Sequence, residues 1–368
     1  MPDFQKVKGV WTPRAKGHPW FSNMISGKSE LTSRIREEAG RLGFFKVGIT
    51  AVRPLPRPEY LTEWISRGFH GEMRYLERQS PKRLDPGLVF AGARSILTLP
   101  INYRTEHDFS DEPLKGKISR YGWGEDYHIT VKAPLEELLR LIREREPSAQ
   151  GLCYVDTGPI MEKVWGAQTS LGWLGKHTNL ITRARGSWFF IGIILLNLEL
   201  EYDTPARDYC GKCNRCIQAC PTGAIVAPYV LDARLCISYL TVELRGEIPV
   251  GLRPLIGNRI FGCDDCQEVC PWNRFASADS APCFRPREEN LMPDLAALIR
   301  ITPEQFKLRF KNSPVLRATR DGLVRNVAIA LGNSGRREAI PVLSDALQDS
   351  SPLVRSHAEW ALERLRSL

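Results

Sequence analysis

The densest set of reactive side chains in this chain is a pair of cysteine runs in its second half. They are Cys210-x2-Cys213-x2-Cys216-x3-Cys220-Pro221 and Cys263-x2-Cys266-x3-Cys270-Pro271, with Cys236 between them. Three closely spaced thiolates can hold three corners of a cubane cluster, while the cysteine that precedes a proline ligates a second cluster. The spacing therefore predicts two [4Fe–4S] clusters.

The cysteines of these segments divide into two sets of four ligands. The first cluster takes Cys210, Cys213, Cys216 and Cys270, and the second takes Cys220, Cys236, Cys263 and Cys266. Cys153 and Cys283 remain, and we interpret both as ordinary thiols. Paired CxxC units also bind zinc, but a zinc ribbon does not need the CxxCxxCxxxCP continuation or a second Cys-Pro.

Composition and charge indicate which partners and which cellular compartment to expect for this protein. The chain has 368 residues and a net charge of +9, which favours an anionic partner such as nucleic acid, although many basic enzymes bind none. Residues 1–28 show no export signal, and ten cysteines without one indicate metal or redox chemistry in a reducing compartment, which we expect to be the cytoplasm. The longest apolar run, 188–196, is too short to cross a bilayer, so no membrane association is expected.

The elements that must position these cysteines follow from hydrophobic periodicity. Helices and strands mix from residue 29 to 204, which predicts an α/β or α+β domain. We expect Ser29 to cap the first helix and Gly43 to stop it. The predicted helices are Ser29–Leu42, Lys132–Glu146 and Met161–Leu171, and the predicted strands are Phe45–Thr50, Ser95–Leu99, Gly151–Val155 and Gly186–Leu200.

The chain divides into four segments: a loosely ordered extension over 1–28, the mixed domain over 29–204, the cysteine-rich domain over 205–290 and a helical segment over 291–368. In the last, Leu323–Ala328 returns as Leu353–Ala358, which resembles HEAT-type repeats. Two repeats cannot bury their hydrophobic faces against each other alone, so they should pack against the preceding domain. Arg325 and Arg355 hold equivalent repeat positions; they line either a phosphate-contacting face or a solvated one.

Clusters move electrons but do not select a substrate, so the roughly 200 residues before them indicate an enzyme with a built-in electron relay. Asp156 lies in the sequence Val155-Asp156-Thr157-Gly158, but the chain has no second copy of it, which excludes an aspartic protease. Asp156 is either a helix cap or a catalytic acid. The Gly-punctuated loop 172–180 could let backbone approach a large cofactor.

Together these motifs resemble the epoxyqueuosine reductase family, in its long form with a C-terminal HEAT-like segment. The resemblance covers roughly residues 29–368. It is carried by both cysteine runs and by the segments Arg120–His128, Val155–Gly158, Gly175–Leu180, Gly186–Phe190, Cys236–Thr241 and Ile256–Cys263. Two departures are Ser119, where some relatives carry a cysteine, and Ile193, where relatives usually have glutamate.

The resemblance implies a nitroreductase-like α/β domain that holds base-off cobalamin, fused to a bacterial-ferredoxin-like domain. It implies removal of the epoxide oxygen of epoxyqueuosine in a tRNA anticodon loop, with two electrons and two protons. Asp156 would protonate the departing oxygen, provided that burial keeps its carboxyl group protonated near neutral pH. The cobalamin contacts that the resemblance implies are Arg83, Leu180, Thr182 and Thr241, and less directly Tyr127 and His128.

The implied partners are a tRNA that bears epoxyqueuosine and an external low-potential electron donor. The HEAT-like segment would bind the stem of the tRNA. The resemblance also implies a monomer. Two other functions share parts of this pattern: a cobalamin-dependent reductive dehalogenase, and a two-cluster electron carrier or RNA adaptor without enzyme activity. The missing export signal and the basic C-terminal repeats argue against the dehalogenase.

Overall fold

The structure, a computed structural model, describes residues 4–7, 10–13, 27–110 and 112–367. The strands are β1 (Phe4–Val7), β2 (Val10–Pro13), β3 (Gly48–Ala51), β4 (Ser95–Asn102), β5 (Lys117–Ile118), β6 (Gly151–Tyr154), β7 (Trp173–Leu174), β8 (Leu180–Ile181), β9 (Phe189–Leu196), β10 (Ile225–Ala227), β11 (Val230–Leu231) and β12 (Arg259–Phe261).

The longer helices are α1 (Lys28–Arg41), α2 (Pro58–Ser66), α6 (Lys132–Arg145), α15 (Arg320–Asn333) and α17 (Pro352–Arg366). The shorter helices are α3 (Arg74–Arg78), α4 (Ser80–Leu84), α5 (Tyr127–Thr130), α7 (Glu162–Ala167), α8 (Arg215–Ala219), α9 (Ile237–Val242), α10 (Arg253–Ile256), α11 (Asp265–Glu268), α12 (Glu288–Leu291), α13 (Leu295–Leu298), α14 (Pro303–Arg309) and α16 (Ile340–Ala346). Among the described residues, none of the helices combines the length and the apolar composition of a membrane span.

A four-stranded antiparallel sheet with the order β3-β4-β9-β6 forms the centre of the first half. All eight residues of β4 are buried, because helices cover both faces of the sheet. Leu97 and Leu99 point toward α1 and α6, whereas Ile96 and its neighbour Ile193 point toward α7. The mixed α/β content predicted for this part of the chain is confirmed.

Several local predictions need correction. The first helix begins at Lys28 with Gly27 at its N-cap, so the predicted cap at Ser29 is wrong, whereas the predicted stop before Gly43 is confirmed. Helix α7 ends at Ala167 instead of Leu171, because the Thr169 hydroxyl donates to the Gly166 carbonyl and competes with the helical backbone. In the predicted loose extension β1 and β2 pair as an antiparallel hairpin; the rest of 1–26 lies outside the described residues.

The C-terminal helices share one hydrophobic core with the cysteine-rich segment. Helices α15 and α17 pack together, and their apolar side chains meet Phe261 of β12 and Trp123 beside β5. The prediction that the repeats lean on the preceding domain is therefore confirmed.

Arg325 is a buried residue that connects the C-terminal helices to the cysteine-rich segment, and it does not lie on the surface. Its side chain is fully buried and donates to the carbonyls of Leu240, Leu244 and Gly246, all in the segment that links Cys236 to Cys263. The adjacent Asn326 donates to the Thr241 and Ile260 carbonyls. Arg325 was predicted to lie on a surface, either in contact with phosphates or solvated, and both predictions are wrong. The side chain is buried because the carbonyls of this buried turn need hydrogen-bond donors.

We predict that Arg325→Met destabilises the protein strongly. The substitution leaves buried carbonyls without donors, which should cost roughly 3 kcal/mol and lower the melting temperature by several degrees. Arg355→Met is the matched control, because this repeat-equivalent arginine is half-buried and, among the described residues, donates to the Asp349 and Ser350 carbonyls just before its own helix. Equal melting temperatures for the two variants in circular dichroism would contradict the assignment.

Candidate active site

The two predicted cysteine sets come together in space. Cys210, Cys213, Cys216 and Cys270 line one small cavity. Burial raises the pKa of Cys216, and the neighbouring thiols of Cys270 and Cys210 raise it further. The loop 211–215 covers this set and is largely exposed. Among the described residues, no three Cys, His, Asp or Glu side chains converge closely enough to hold a single metal ion.

The second cysteine set borders a different space. Cys220, Cys236, Cys263 and Cys266 all line a cleft of about 350 Å³. Burial and the nearby Cys236 thiol raise the pKa of Cys266. The same cleft is lined by Tyr127, Phe190 and Asp156. The second thiol set and the candidate acid therefore share one cleft, while the first set lies outside it.

Asp156 follows strand β6 in a strained turn. Its φ is +58°, in the left-handed region that side chains other than glycine rarely adopt. The Glu162 Oε1 atom accepts a hydrogen bond from the Asp156 backbone N–H at 2.6 Å and stabilises this conformation. Because Met161 holds the N-cap position of α7, the interpretation of Asp156 as a helix cap is wrong. The turn instead directs the carboxylate into the cleft.

Two side chains from α5 hold the Asp156 carboxylate. The Tyr127 hydroxyl donates to Oδ2 at 2.7 Å, and the His128 Nε2 atom lies 3.5 Å from the same oxygen. Tyr127 is itself fixed by stacking on Phe190, with 4.4 Å between ring centroids. On its other side, His128 Nδ1 contacts Asp126 at 2.7 Å. The pair thus fixes the position of one carboxylate oxygen.

The charges of these groups differ from the expectation of a neutral Asp156. Burial favours the neutral acid, but hydrogen bonds from His128 and Tyr127 outweigh it and lower the pKa of Asp156. Burial would also lower the pKa of His128, but Asp126 and Asp156 raise it to about 9. At neutral pH both shifts favour a carboxylate on Asp156 beside an imidazolium on His128, which differs from the neutral Asp156 that the resemblance led us to expect.

Glu162, in contrast, has a raised pKa, which favours its neutral form at neutral pH. Burial and the Asp156 charge raise the pKa of Glu162 to about 8. Because Oε1 accepts the backbone hydrogen bond, the proton belongs on Oε2. Sequence reasoning did not single out Glu162; its signal is a glutamate at the start of the helix that follows the strained turn.

The other residues that were predicted to contact cobalamin lie on several different elements of the fold. Arg83 is buried on α4, close enough to Asp156 for that charge to act on the guanidinium. Leu180 is buried in β8, and the Thr182 hydroxyl accepts from the Arg185 backbone. The Thr241 hydroxyl donates to the Ile237 carbonyl and accepts from the Gly262 backbone. None of these four residues lines the cleft, and their cofactor role stays a prediction.

Four further residues of the cleft were not predicted as site residues. Ser119 donates to Asp264 at 2.6 Å, and Asp264, between Cys263 and Cys266, has a pKa that burial raises to about 6. Lys163 donates to Asn179 on the cleft wall. His177 lines both the cleft and the cavity of the first cysteine set. An Asp flanked by two ligand cysteines is a signal that the sequence offered.

The Nε2 atom of His177 has no hydrogen-bond partner among the described residues, although the side chain is only 4% exposed. Its Nδ1 atom accepts from the Asn179 backbone, which puts the ring proton on Nε2. Gly175 makes room for the ring, since a Cβ there would lie 2.9 Å from His177 Cε1. The result is a buried N–H donor at the wall between the two cysteine sets.

Comparison with known proteins finds three matching families. Residues 83–157 match the family described as epoxyqueuosine reductase QueG, DUF1730. Residues 209–273 match a 4Fe-4S double cluster binding domain, and residues 314–367 match HEAT repeats. The predictions of a two-cluster domain and of HEAT-like repeats are confirmed.

Relatives and solved structures with the same name cover most of the chain. Epoxyqueuosine reductase of Cellulophaga algicola is 42% identical over 82% of this chain and 99% of its own length. The Pseudomonas aeruginosa protein is 41% identical over 91% of this chain and 95% of its own length.

Two solved epoxyqueuosine reductases each match 91% of this chain and 90% of their own. The Bacillus subtilis enzyme, described with its catalytic aspartate loop swung out of the active site, has a TM-score of 0.85 at 29% identity. Another, described with an epoxyqueuosine-modified tRNA-Tyr stem loop, has a TM-score of 0.82 at 30% identity.

The His128–Asp156 contact predicts a specific titration. NMR of the imidazole Cε1–H resonance should give a pKa near 9 for His128. Asp156→Asn removes one of the two carboxylates that stabilise the imidazolium, so the pKa should fall toward the ordinary value. Asp294→Asn, which alters the cap of α13, should leave it unchanged. A His128 pKa that does not respond to Asp156→Asn would show that the two groups do not interact.

Proposed function

This chain belongs to the epoxyqueuosine reductase family, and from that premise we propose that it removes the epoxide oxygen of epoxyqueuosine in the anticodon loop of tRNA. The observation that carries the proposal is the single cleft that is lined by both the second cysteine set and Asp156, whose carboxylate His128 contacts at 3.5 Å. A wall that can hold an electron-transferring cluster and, in the same cleft, a proton-donating group are what a reductive loss of oxygen needs.

The donor sets suit two cubane clusters, which pass electrons one at a time. We assign the first to Cys210, Cys213, Cys216 and Cys270, and the second to Cys220, Cys236, Cys263 and Cys266. The support is that each set lines one cavity. The buried N–H of His177 fits this assignment, because cluster sulfurs accept hydrogen bonds. We also propose that the chain consists of four segments, residues 1–28, 29–204, 205–290 and 291–368, and that the second of them has a nitroreductase-like fold.

The cleft between the second cysteine set and Asp156 suits cobalamin. Its lining includes Phe189, Phe190 and Ile191, apolar side chains of the kind that line cofactor pockets. The buried Arg83 guanidinium has an Nε atom without a partner among the described residues, a donor for polar side groups of the ring. Cobalamin, when bound, supplies a strongly reducing cobalt centre. Leu180, Thr182 and Thr241 remain candidates through their backbone groups.

The protein's own residues manage the protons. We place Asp156 beside the departing oxygen, as the group that touches the substrate. Since Asp156 rests as a carboxylate, it must first receive a proton, and the His128 imidazolium, 3.5 Å from Oδ2, supplies it. Tyr127 orients the shared oxygen, and Glu162 holds the backbone turn. Two electrons and two protons then convert the epoxide to the alkene and release water.

The substrate enters as part of an RNA loop. Sequence-specific proteins read single-stranded loops by splaying out bases, and backbone phosphates add salt-dependent affinity. The net charge of +9 is suited to such a partner. Arg336 and Arg337, exposed at the turn before α16, are candidates for phosphate contact on the HEAT-like segment. The electron donor is an external low-potential carrier.

The test is turnover by reconstituted protein with cobalamin, a strong reductant and epoxyqueuosine-containing tRNA, followed by nucleoside mass analysis. Wild type should convert epoxyqueuosine to queuosine, and Asp156→Asn should lose at least about a hundred-fold in rate. Iron and corrin content should stay unchanged in that variant. The control is Asp345→Asn, an exposed carboxylate paired with Arg300. Full activity of Asp156→Asn would rule out its proposed role.

His177 gives an independent prediction on the clusters. Because hydrogen bonds to cluster sulfur stabilise the more negative, reduced state, His177→Leu should lower the midpoint potential of one cluster. His177→Gln retains an N–H donor and should restore most of the potential. Redox titration followed by electron paramagnetic resonance measures both. Identical potentials in wild type and His177→Leu would show that the imidazole does not reach a cluster.

A further inference from the structure

A second concave surface lies beside the first cysteine set and has no role in the function proposed above. It is a groove of about 700 Å³ lined by Arg104, Arg215 and Arg274, with Cys270 at its floor and Trp188 and Glu268 on its walls. We name it the arginine groove. Its floor is thus a ligand of the first cluster.

The charge of the arginine groove is strongly positive. Arg215 and Arg274 are exposed, and neither forms an ion pair with any described residue. Glu268 is already engaged by the buried Arg120, with 2.7 Å between Nε and Oε1. Arg104 pairs with the exposed Asp108 at 3.8 Å, so Arg215 and Arg274 are the two groove cations without an ion pair among the described residues. A concave wall with two such cations focuses the field and attracts an acidic partner. Lys212, exposed on the loop above the first set, adds to this charge.

The arginine groove and the catalytic cleft have no lining residue in common. Ser187 lines the cleft, whereas the next residue, Trp188, lines the groove. In the same way Gln267 lines the cleft and Glu268 the groove. The cysteine segments therefore separate the two spaces, so that a partner in the groove leaves the cleft free for tRNA. This separation favours a protein over RNA as the occupant.

We propose that the arginine groove is the docking site of an acidic one-electron carrier protein. The inference rests on the proposed function, which requires electrons from outside. Each docked carrier loses one electron, which the first cluster gains. Two such encounters supply the two electrons that, with two protons, release the epoxide oxygen as water. The chemistry that recognises the carrier is a carboxylate-rich patch around its redox centre.

The experiment measures binding without substrate. An acidic flavodoxin is titrated against holoenzyme with both clusters, by calorimetry at low and physiological salt. Arg215→Glu/Arg274→Glu should weaken its binding by roughly ten-fold or more, and wild-type affinity should fall as salt rises. Arg336→Glu/Arg337→Glu makes the same charge change at two exposed arginines on the HEAT-like segment and should bind flavodoxin as wild type does.

Companion measurements separate the outcomes. Stopped-flow reduction of the clusters by flavodoxin should slow in the groove variant, while reduction by dithionite, which needs no protein docking, should stay within about two-fold. Unchanged flavodoxin affinity in the groove variant would overturn the proposal. So would a loss of tRNA stem-loop binding in the same variant, which would identify the groove as an RNA surface. Arg215→Gln/Arg274→Gln, with an intermediate effect expected, guards against a folding defect.

If the proposed function itself were wrong, wild-type protein would not convert epoxyqueuosine even with dithionite, whatever its affinity for flavodoxin. Failure of the docking proposal would instead leave dithionite-driven turnover intact. The two failures are therefore distinguishable.

Discussion

The architecture depends on bringing thiols from distant parts of the chain to two points. Cys270 must join the first run from more than fifty residues away, and Cys220 must leave its own run for the second set. Local spacing holds only three corners of one cube, so the rest is tertiary packing. Helices α8 and α11, which carry Cys216 and Cys266, lie against each other and close this crossover. The C-terminal repeats serve the same end, since Arg325 and Asn326 fix the turns between Cys236 and Cys263.

The catalytic side of the cleft is organised around one oxygen atom. The Tyr127 hydroxyl and the His128 imidazole meet at Asp156 Oδ2, and the strained turn points that oxygen into the cleft. Strain at a non-glycine residue persists only where its surroundings over-determine it. Here Glu162 bonds the backbone while two aromatic rings on α5 hold the side chain. Rigidity of this kind keeps a proton donor in place while the other wall exchanges electrons.

The sequence predicted what depends on neighbours along the chain and missed what depends on packing. Cysteine spacing specified two ligand sets, and periodicity found α1 and α6 nearly to the residue. The same periodicity placed Arg325 on a surface, because a buried cation that satisfies carbonyls eighty residues away leaves no local signal. The protonation of Asp156 was also out of reach, since the pKa depends on Tyr127 and His128, which lie some thirty residues earlier. The predicted end of α7 was wrong because a single side-chain hydrogen bond, that of Thr169, ends the helix early.

Strand alternation explains how a single chain segment serves both spaces. Residues that enter β9 alternate in direction, as in any extended strand, so Ser187 and Trp188 face opposite sides. The Ser187 hydroxyl bonds Gln267 at 2.9 Å, and this contact ties the sheet domain to the second cysteine run. Trp188 in turn lies under the guanidinium of Arg120, which engages Glu268 on the groove wall. A change at this crossing alters the cleft and the groove together, because the same few residues form the partition between them.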